Sequence, residues 1–183
     1  MKNLTPPLCN GINKFKEIVE NKQNPRKTRL LELVPRIRDC YTSYESNKFN
    51  LEGITPLFNG GGNDQEKEDL LHCYSQKNVN LDKLKKEIKE NQPHEISGTC
   101  QYCGIDSSHS FDHYLPQEDF SEYSVMPLNL IPCCRVCNSN KGAIWLRNHK
   151  RQIINLYFDQ VPSQQFLFGE ILFENHIPTI HFS

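Results

Sequence analysis

The feature that most constrains this chain is a pair of cysteine knuckles, Cys100-Gln-Tyr-Cys103 and Cys134-Arg-Val-Cys137. The two thiolates of one C-x-x-C unit can bind the same ion, and two such units complete a tetrahedral shell. The spacing therefore predicts a zinc ion held by all four sulfurs, and because no position is left for water, this zinc is expected to be structural. Disulfides and a redox-active pair are the alternatives, and both are less typical of a chain without a secretory signal. The neighbouring Cys133 has no cysteine three residues further on, so Cys134 is the predicted ligand.

Composition predicts a folded protein that lies outside the membrane. The chain has 183 residues, of which 37 % are hydrophobic, which is enough for a core and too many for a disordered chain. Its longer apolar runs, such as Leu128–Cys134, are too short to cross a bilayer, and Met1–Asn10 has no apolar stretch of signal-peptide length. We therefore expect a cytoplasmic protein with no membrane partner.

The charge balance does not by itself indicate a nucleic-acid partner. The net charge is −1, and residues 1–50 have ten basic and five acidic side chains, whereas residues 96–142 have two and five. A nucleic acid would then need the N-terminal segment, a bound metal or another chain to attract it. The lysines between residues 83 and 89 are expected to form a solvated helix face rather than a binding patch.

Hydrophobic periodicity predicts helices before the knuckles and strands after them. Helices are expected over 11–22, over 26–46 with a break near Val34 caused by Pro35, and over 64–91 with a division at Asn78-Val79-Asn80. Residues 53–63 are expected to be a loop, and residues 143–149 to continue a helix that begins at the second knuckle. The tail, 151–183, is expected to form short strands broken at Pro162, Gly169 and Pro178.

Further motif residues surround the knuckles in a fixed order. Asp112-His113 precedes Pro116, Asn129-Leu130 precedes the second knuckle, and Asn138-Ser-Asn-Lys141-Gly142 follows it. Together with the first C-x-x-C-G, this order resembles the HNH endonucleases, whose fold is a ββα-metal finger. The resemblance covers residues 100–142, less than a quarter of the chain.

The resemblance implies a phosphodiesterase that uses one divalent cation. His113 would be the general base, since a neutral imidazole has a pKa near working pH. Asn129 would orient that imidazole through its carboxamide or through the strand carrying it. Asp112 and Asn138 would bind Mg²⁺ or Mn²⁺ through hard oxygen atoms. Because neighbouring strand residues point to opposite faces, Asp112 and His113 can share one site only where the strand ends or distorts.

The helix after the second knuckle would contact the substrate. Arg135 and Lys141 lie on roughly the same side as Asn138 and would reach neighbouring phosphates. Gly142, expected inside this helix, would permit a close backbone approach.

Taken together, these features predict an α+β fold with three parts. A mainly helical N-terminal region (1–95) would precede the ββα-metal finger with structural zinc (96–150), and a strand-rich C-terminal wrap (151–183) would pack on the finger. The predicted substrate is DNA or, second, RNA. The flanking segments are similar to small bacterial HNH proteins of anti-phage systems, the Septu type among them, which implies an ATPase partner. The alternative is a zinc-stapled module that binds nucleic acid or protein without cutting it.

Overall fold

The computed structural model describes residues 1–58, 64–161, 169–174 and 177–182 and has an α+β fold. Within these residues, five α-helices precede the first strand: α1 (Gly11–Glu20), α2 (Arg26–Glu32), α3 (Val34–Ser46), α4 (Asp64–Ser75) and α5 (Val79–Glu90). The expected loop ends in residues 59–63, which lie outside the described residues. None of the helices in the described ranges is both long and apolar enough to cross a membrane.

Local side chains decide where these helices begin. Pro35 lies in the first turn of α3, where its missing N–H costs no helical hydrogen bond, so the predicted break falls between Glu32 and Val34. Asn78 caps α5 by accepting hydrogen bonds from the backbone of Asn80 and Leu81, which confirms the predicted division.

The helices share one hydrophobic core with the region that contains the knuckles. This core includes Phe15 and Ile18 of α1 and Tyr114 and Leu130 near the knuckles, all fully buried. Hydrogen bonds cross the same boundary, because the Tyr44 hydroxyl donates to the carbonyl oxygen of Leu128 at 3.1 Å. The helical part therefore supports the knuckle region directly, and the predicted three-part division stays a prediction.

The knuckle region contains a short antiparallel hairpin and a helix. Strand β1 (Ser110–His113) pairs with β2 (Leu130–Cys133), with His113 opposite Leu130, and α6 (Arg135–Lys141) follows at once. The expected continuation of this helix over 143–149 is wrong, because Gly142 ends it with φ +51° and ψ −128°. Gly142 is needed for this left-handed turn and not for close packing, since an added Cβ would meet only the Ser139 oxygen, at 3.8 Å.

Two more strand pairs complete the described chain. Strands β3 (Leu146–Arg147) and β4 (Lys150–Arg151) form a minimal hairpin, and β5 (Gly169–Glu174) pairs with β6 (Ile177–Phe182). The predicted strand break at Pro178 is wrong, because this residue lies within β6 opposite Phe173. A two-stranded sheet tolerates proline where its nitrogen faces away from the partner strand. The predicted break at Pro162 lies outside the described residues, and packing of the tail on the finger stays a prediction.

Candidate active site and metal centre

The two knuckles bring four sulfur atoms together. The Sγ atoms of Cys100, Cys103, Cys134 and Cys137 all lie within 4.8 Å of one another, and those of Cys103 and Cys134 are 4.0 Å apart. A tetrahedral zinc with Zn–S bonds of about 2.3 Å requires sulfur atoms roughly 3.8 Å apart, so the cluster fits this metal. Cys133 is not in the cluster, which confirms the predicted register.

The backbone conformation of each knuckle brings its two sulfur atoms to the same side. Gly104 follows the first knuckle with φ +68°, a conformation that favours glycine and turns the chain back on itself. In the second knuckle, Cys134 is the residue before α6, and its sulfur accepts a hydrogen bond from the Cys137 backbone at 3.3 Å. The zinc site therefore fixes where α6 begins relative to β2.

His113 is the last residue of β1, and its imidazole is held by one hydrogen bond. Its Nε2 lies 2.8 Å from the carbonyl oxygen of Ser124. A carbonyl only accepts hydrogen bonds, so Nε2 has the proton and Nδ1 has the free lone pair. The Tyr74 ring packs edge-on against the imidazole, with 4.3 Å between ring centres. Burial lowers the pKa of His113 to about 4, so the ring is neutral at physiological pH.

Asn129 supports this geometry without touching the imidazole. Its Oδ1 accepts a hydrogen bond from the Leu115 N–H at 2.8 Å, and its Nδ2 donates to the carbonyl oxygens of Leu115 at 3.0 Å and Tyr123 at 3.2 Å. Leu115 lies two residues after His113, and Tyr123 is adjacent to the residue that holds the imidazole. Of the two routes considered for Asn129, the structure therefore provides the one through the backbone.

The carboxylate of Asp112 is held by α6 and by the first knuckle, whereas the imidazole of His113 is held by Ser124. Its Oδ1 accepts a hydrogen bond from Lys141 Nζ at 2.9 Å, and its Oδ2 accepts one from the Tyr102 hydroxyl at 2.9 Å. The Asp112 and Lys141 side chains are only 2 % and 3 % exposed. Burial raises the pKa of the Asp112 carboxyl, although the hydrogen bonds from Lys141 and Tyr102 oppose this effect.

Lys141 requires a correction to the sequence-based expectation. Its ammonium group donates to Asp112 Oδ1 and, at 2.6 Å, to the carbonyl oxygen of His113. A side chain that is 3 % exposed and already bound to two oxygens does not reach a phosphate on the surface. Lys141 instead joins α6 to the end of β1, whereas Arg135, at the other end of α6, is exposed as expected.

Residues 100–143 match the HNH endonuclease family model. Protein ea31 of Escherichia phage lambda is 41 % identical over 63 residues, which cover 33 % of this chain and 21 % of ea31. The match thus spans about a fifth of the length of this relative. No solved structure gives a significant match. These comparisons support a nuclease role for the HNH region.

The candidate residues of the HNH region meet at one open pocket of about 580 Å³, called here the His113 pocket. Asp112 and His113 both line it, because β1 ends there, and Asn138 lines it from α6. Arg135 and the acidic Glu118 lie on its wall. The structure therefore brings the predicted base, the predicted metal ligands and one predicted phosphate contact to one place, whereas Asn129 and Lys141 support the pocket from behind.

The oxygen atoms at the pocket suit a hydrated divalent cation. Asn138 donates through Nδ2 to Ser110 Oγ at 2.9 Å and to the Phe111 carbonyl oxygen at 3.3 Å, which leaves its Oδ1 without a donor among the described residues. Asp112 would supply the negative charge, shared with Lys141. These hard donors fit Mg²⁺ or Mn²⁺ with water in the remaining positions, and such a cation would act as a Lewis acid on a phosphate oxygen.

Three contributors to the site escape sequence analysis. Tyr102 lies between the ligands of the first knuckle, and Ser124 acts through its carbonyl oxygen, which any residue could provide. Tyr74 comes from α4, far from the HNH region along the chain. The spacing of Tyr74 along its helix predicts only a core position. No sequence signal therefore marks any of these three residues as part of the site.

Proposed function

We propose that this protein is a metal-dependent endonuclease that hydrolyses phosphodiester bonds of DNA or RNA, with His113 as the general base. The observation that carries this proposal is the fixed tautomer of His113. Its Nε2–H is bound to the Ser124 carbonyl oxygen, which leaves Nδ1 without a partner among the described residues, and His113 lines the pocket that Asn138 also lines. A buried histidine with a purely structural role would be expected to use both ring nitrogens.

Each residue at the pocket has its own role in the proposed hydrolysis. His113 Nδ1 takes a proton from a water molecule as the oxygen of that water bonds to phosphorus. The bond from phosphorus to the leaving oxygen then breaks, the leaving oxygen is protonated, and the imidazolium returns its proton to solvent. Asp112 and Asn138 would hold the single divalent cation, and Asn129 keeps the strand and the Ser124 carbonyl in register so that Nδ1 points at the water.

Cleavage of supercoiled plasmid DNA with Mg²⁺ or Mn²⁺ tests this proposal. Loss of a general base costs about 10²–10⁴-fold, so His113→Ala should cut at least about a hundredfold more slowly. His94→Ala, which removes an exposed histidine, is the matched control and should cut at the full rate. An RNA transcript assayed in parallel identifies the preferred nucleic acid. Equal cleavage rates for His113→Ala and the unaltered protein would overturn the assignment.

One observation favours a second candidate, a zinc-stapled module that binds without cutting. Lys141 already neutralises the carboxylate of Asp112, which is the anionic group expected to hold the catalytic cation. The same assay separates the two functions. A protein that retains its zinc and binds DNA, but shows no cleavage with any divalent cation, would support the module and contradict the nuclease.

We propose further that the protein acts in the bacterial cytoplasm in anti-phage defence, beside an ATPase partner. The similarity of the flanking segments to HNH proteins of Septu-type systems supports this, and so does the net charge of −1, because a partner could supply the attraction for nucleic acid. Affinity purification of the tagged chain from its native cells should recover an ATPase in a fixed ratio. Phage challenge should show protection that His113→Ala abolishes, and full protection by that variant would contradict the defence role.

A further inference from the structure

A second depression adjoins the His113 pocket and is lined by basic side chains. This depression, called here the Lys85 groove, has a volume of about 640 Å³ and is lined by Lys85, Lys86 and Lys89 of α5 and by Arg135 of α6. It shares Tyr74, Ser110, Phe111 and Arg135 with the His113 pocket, so the two lie side by side, and together they are called the channel here.

Aromatic rings hold two of these lysines at the mouth of the pocket. Lys85 Nζ lies 4.0 Å from the centre of the Tyr74 ring, and Lys89 Nζ lies 5.3 Å from the centre of the Phe111 ring. Both distances are within the range of a cation–π interaction. Tyr74 also contacts the His113 ring at 4.3 Å, so the Lys85 ammonium is within about 8 Å of the imidazole centre.

Three of the four cations that line the groove have no carboxylate partner among the described residues. Lys85, Lys89 and Arg135 form no ion pair within the described residues, whereas Lys86 is bound to Glu90 at 3.6 Å. The acidic groups nearby are this Glu90 on the rim, Asp82 of α5 beside Lys85, and Glu118 and Asp112 on the wall of the His113 pocket, where Asp112 is paired with Lys141. Three unpaired cations in one channel therefore leave a local positive charge, although residues 51–95 have six basic and nine acidic side chains.

The orientation of α5 explains why only some of its lysines face the channel. Leu84 and Ile88 are fully buried, and Lys85 and Lys89 each follow one of them by a single residue, at one edge of the buried stripe. Lys83 precedes Leu84 by one residue and is exposed on the opposite edge. The helix thus sorts its charges into a channel-facing set and a solvent-facing set.

From this placement we infer that Lys85, Lys89 and Arg135 bind backbone phosphates of the nucleic-acid strand and guide it into the His113 pocket. The identity of the ligand rests on the proposed nuclease function, whereas the binding itself does not require cleavage. Since the contacts are to phosphates, they should fix the position of the strand without reading its sequence.

Binding of a labelled 30-base-pair DNA duplex and of an RNA of the same sequence, measured over a range of salt, tests the inference. All variants are made in the His113→Ala background to prevent cleavage. The pair Lys85→Gln/Lys89→Gln should weaken binding on the order of tenfold. It should also reduce the slope of log K against log salt concentration by about 2 in magnitude, and Arg135→Gln should reduce that slope by about 1. The matched control is Lys77→Gln/Lys83→Gln, which removes the same charge outside the groove and should bind normally.

The same substitutions in the chain with His113 intact keep the two proposals distinguishable. Groove variants should raise KM with little change in kcat. If the unaltered protein cuts and the groove pair binds no more weakly than the control pair, the groove assignment is wrong and the nuclease stands. If Lys85→Gln/Lys89→Gln loses binding, the control pair does not, and the unaltered protein never cuts, the phosphate-binding role of the groove is supported and the nuclease proposal is wrong. A chain that binds neither probe overturns the groove as well.

Discussion

Three buried polar side chains lie around the end of β1: Asn129, Asp112 and His113. They differ in how many of their polar atoms have hydrogen-bond partners. Asn129 uses all of its polar atoms on backbone groups, and Asp112 uses both oxygens on Lys141 and Tyr102. His113 alone keeps a ring nitrogen without a partner among the described residues. Nδ1 of His113 is therefore available to accept a proton, whereas a cation bound by Asp112 would share that carboxylate with Lys141 and Tyr102.

Asn129→Ala should reduce both stability and the cleavage rate. The change leaves the buried Leu115 N–H without its acceptor and removes the Asn129 hydrogen bonds to the Leu115 and Tyr123 carbonyl oxygens, which should lower the free energy of unfolding by about 3 kcal/mol. Cleavage should fall at temperatures where circular dichroism still shows a folded protein, with kcat reduced and KM little changed. Asn140→Ala, at an exposed position of α6, should change neither quantity. A folded Asn129→Ala protein with normal kcat would show that this residue does not position His113.

Lys141→Met should destabilise the fold without altering the salt dependence of nucleic-acid binding. Removing one partner of a buried ion pair leaves the Asp112 carboxylate uncompensated, at a cost of about 3–5 kcal/mol. The double variant Asp112→Asn/Lys141→Met should recover part of this loss, as measured by chemical denaturation. A reduced salt slope for a folded Lys141→Met protein would instead return Lys141 to the phosphate-binding set.

Between helices, one buried carboxylate joins α2 to α4. Asp69 accepts hydrogen bonds from Arg29 Nε at 2.6 Å and from Arg26 Nε at 2.8 Å. Burial opposes ionisation of Asp69, but the hydrogen bonds from Arg29 and Arg26 outweigh it and lower the carboxyl pKa below its ordinary 3.8. The contact links two helices that α3 separates along the chain.

This carboxylate should make stability depend on pH. Because its folded pKa is depressed, its contribution is fully present above the unfolded pKa and is lost as the pH falls through the folded value. The free energy of unfolding of the unaltered protein should therefore be about 2 kcal/mol higher than that of Asp69→Asn at pH 7. This difference should shrink below about pH 4. Urea unfolding of both proteins from pH 7 to pH 3 measures it. A difference that stayed constant over this range would contradict the ion pair.

The end of α6 offers a test of backbone conformation. An alanine at position 142 would have to adopt φ +51°, so Gly142→Ala should lower the free energy of unfolding by about 1–2 kcal/mol. Gly53 has open space around it and no positive φ, so Gly53→Ala is the control and should change stability by less than about 0.5 kcal/mol. Equal effects at the two positions would contradict the proposed helix end.

At the scale of the whole molecule, sequence analysis succeeds for local rules and fails where distant elements meet. The knuckle register, the break before Pro35 and the cap at Asn78 follow from neighbours along the chain. The burial of Lys141 and the position of Lys85 against Tyr74 depend on which elements lie opposite them, and no sequence spacing encodes that. The net charge of residues 51–95 is negative, yet the fold brings Lys85 and Lys89 beside Arg135 of α6.

Since the zinc cluster joins the start of α6 to the loop before β1, it should determine whether the His113 pocket exists at all. Cys134→Ser should abolish stoichiometric zinc, measured by mass spectrometry, and should unfold the HNH region, because four-thiolate zinc contributes folding energy directly. Cys133→Ser, one residue away and outside the cluster, should keep one zinc per chain. Zinc retained by Cys134→Ser and lost from Cys133→Ser would mean that the register is wrong. In that case α6 would lie elsewhere relative to Lys85 and Lys89. The groove that these lysines line would then no longer adjoin the His113 pocket.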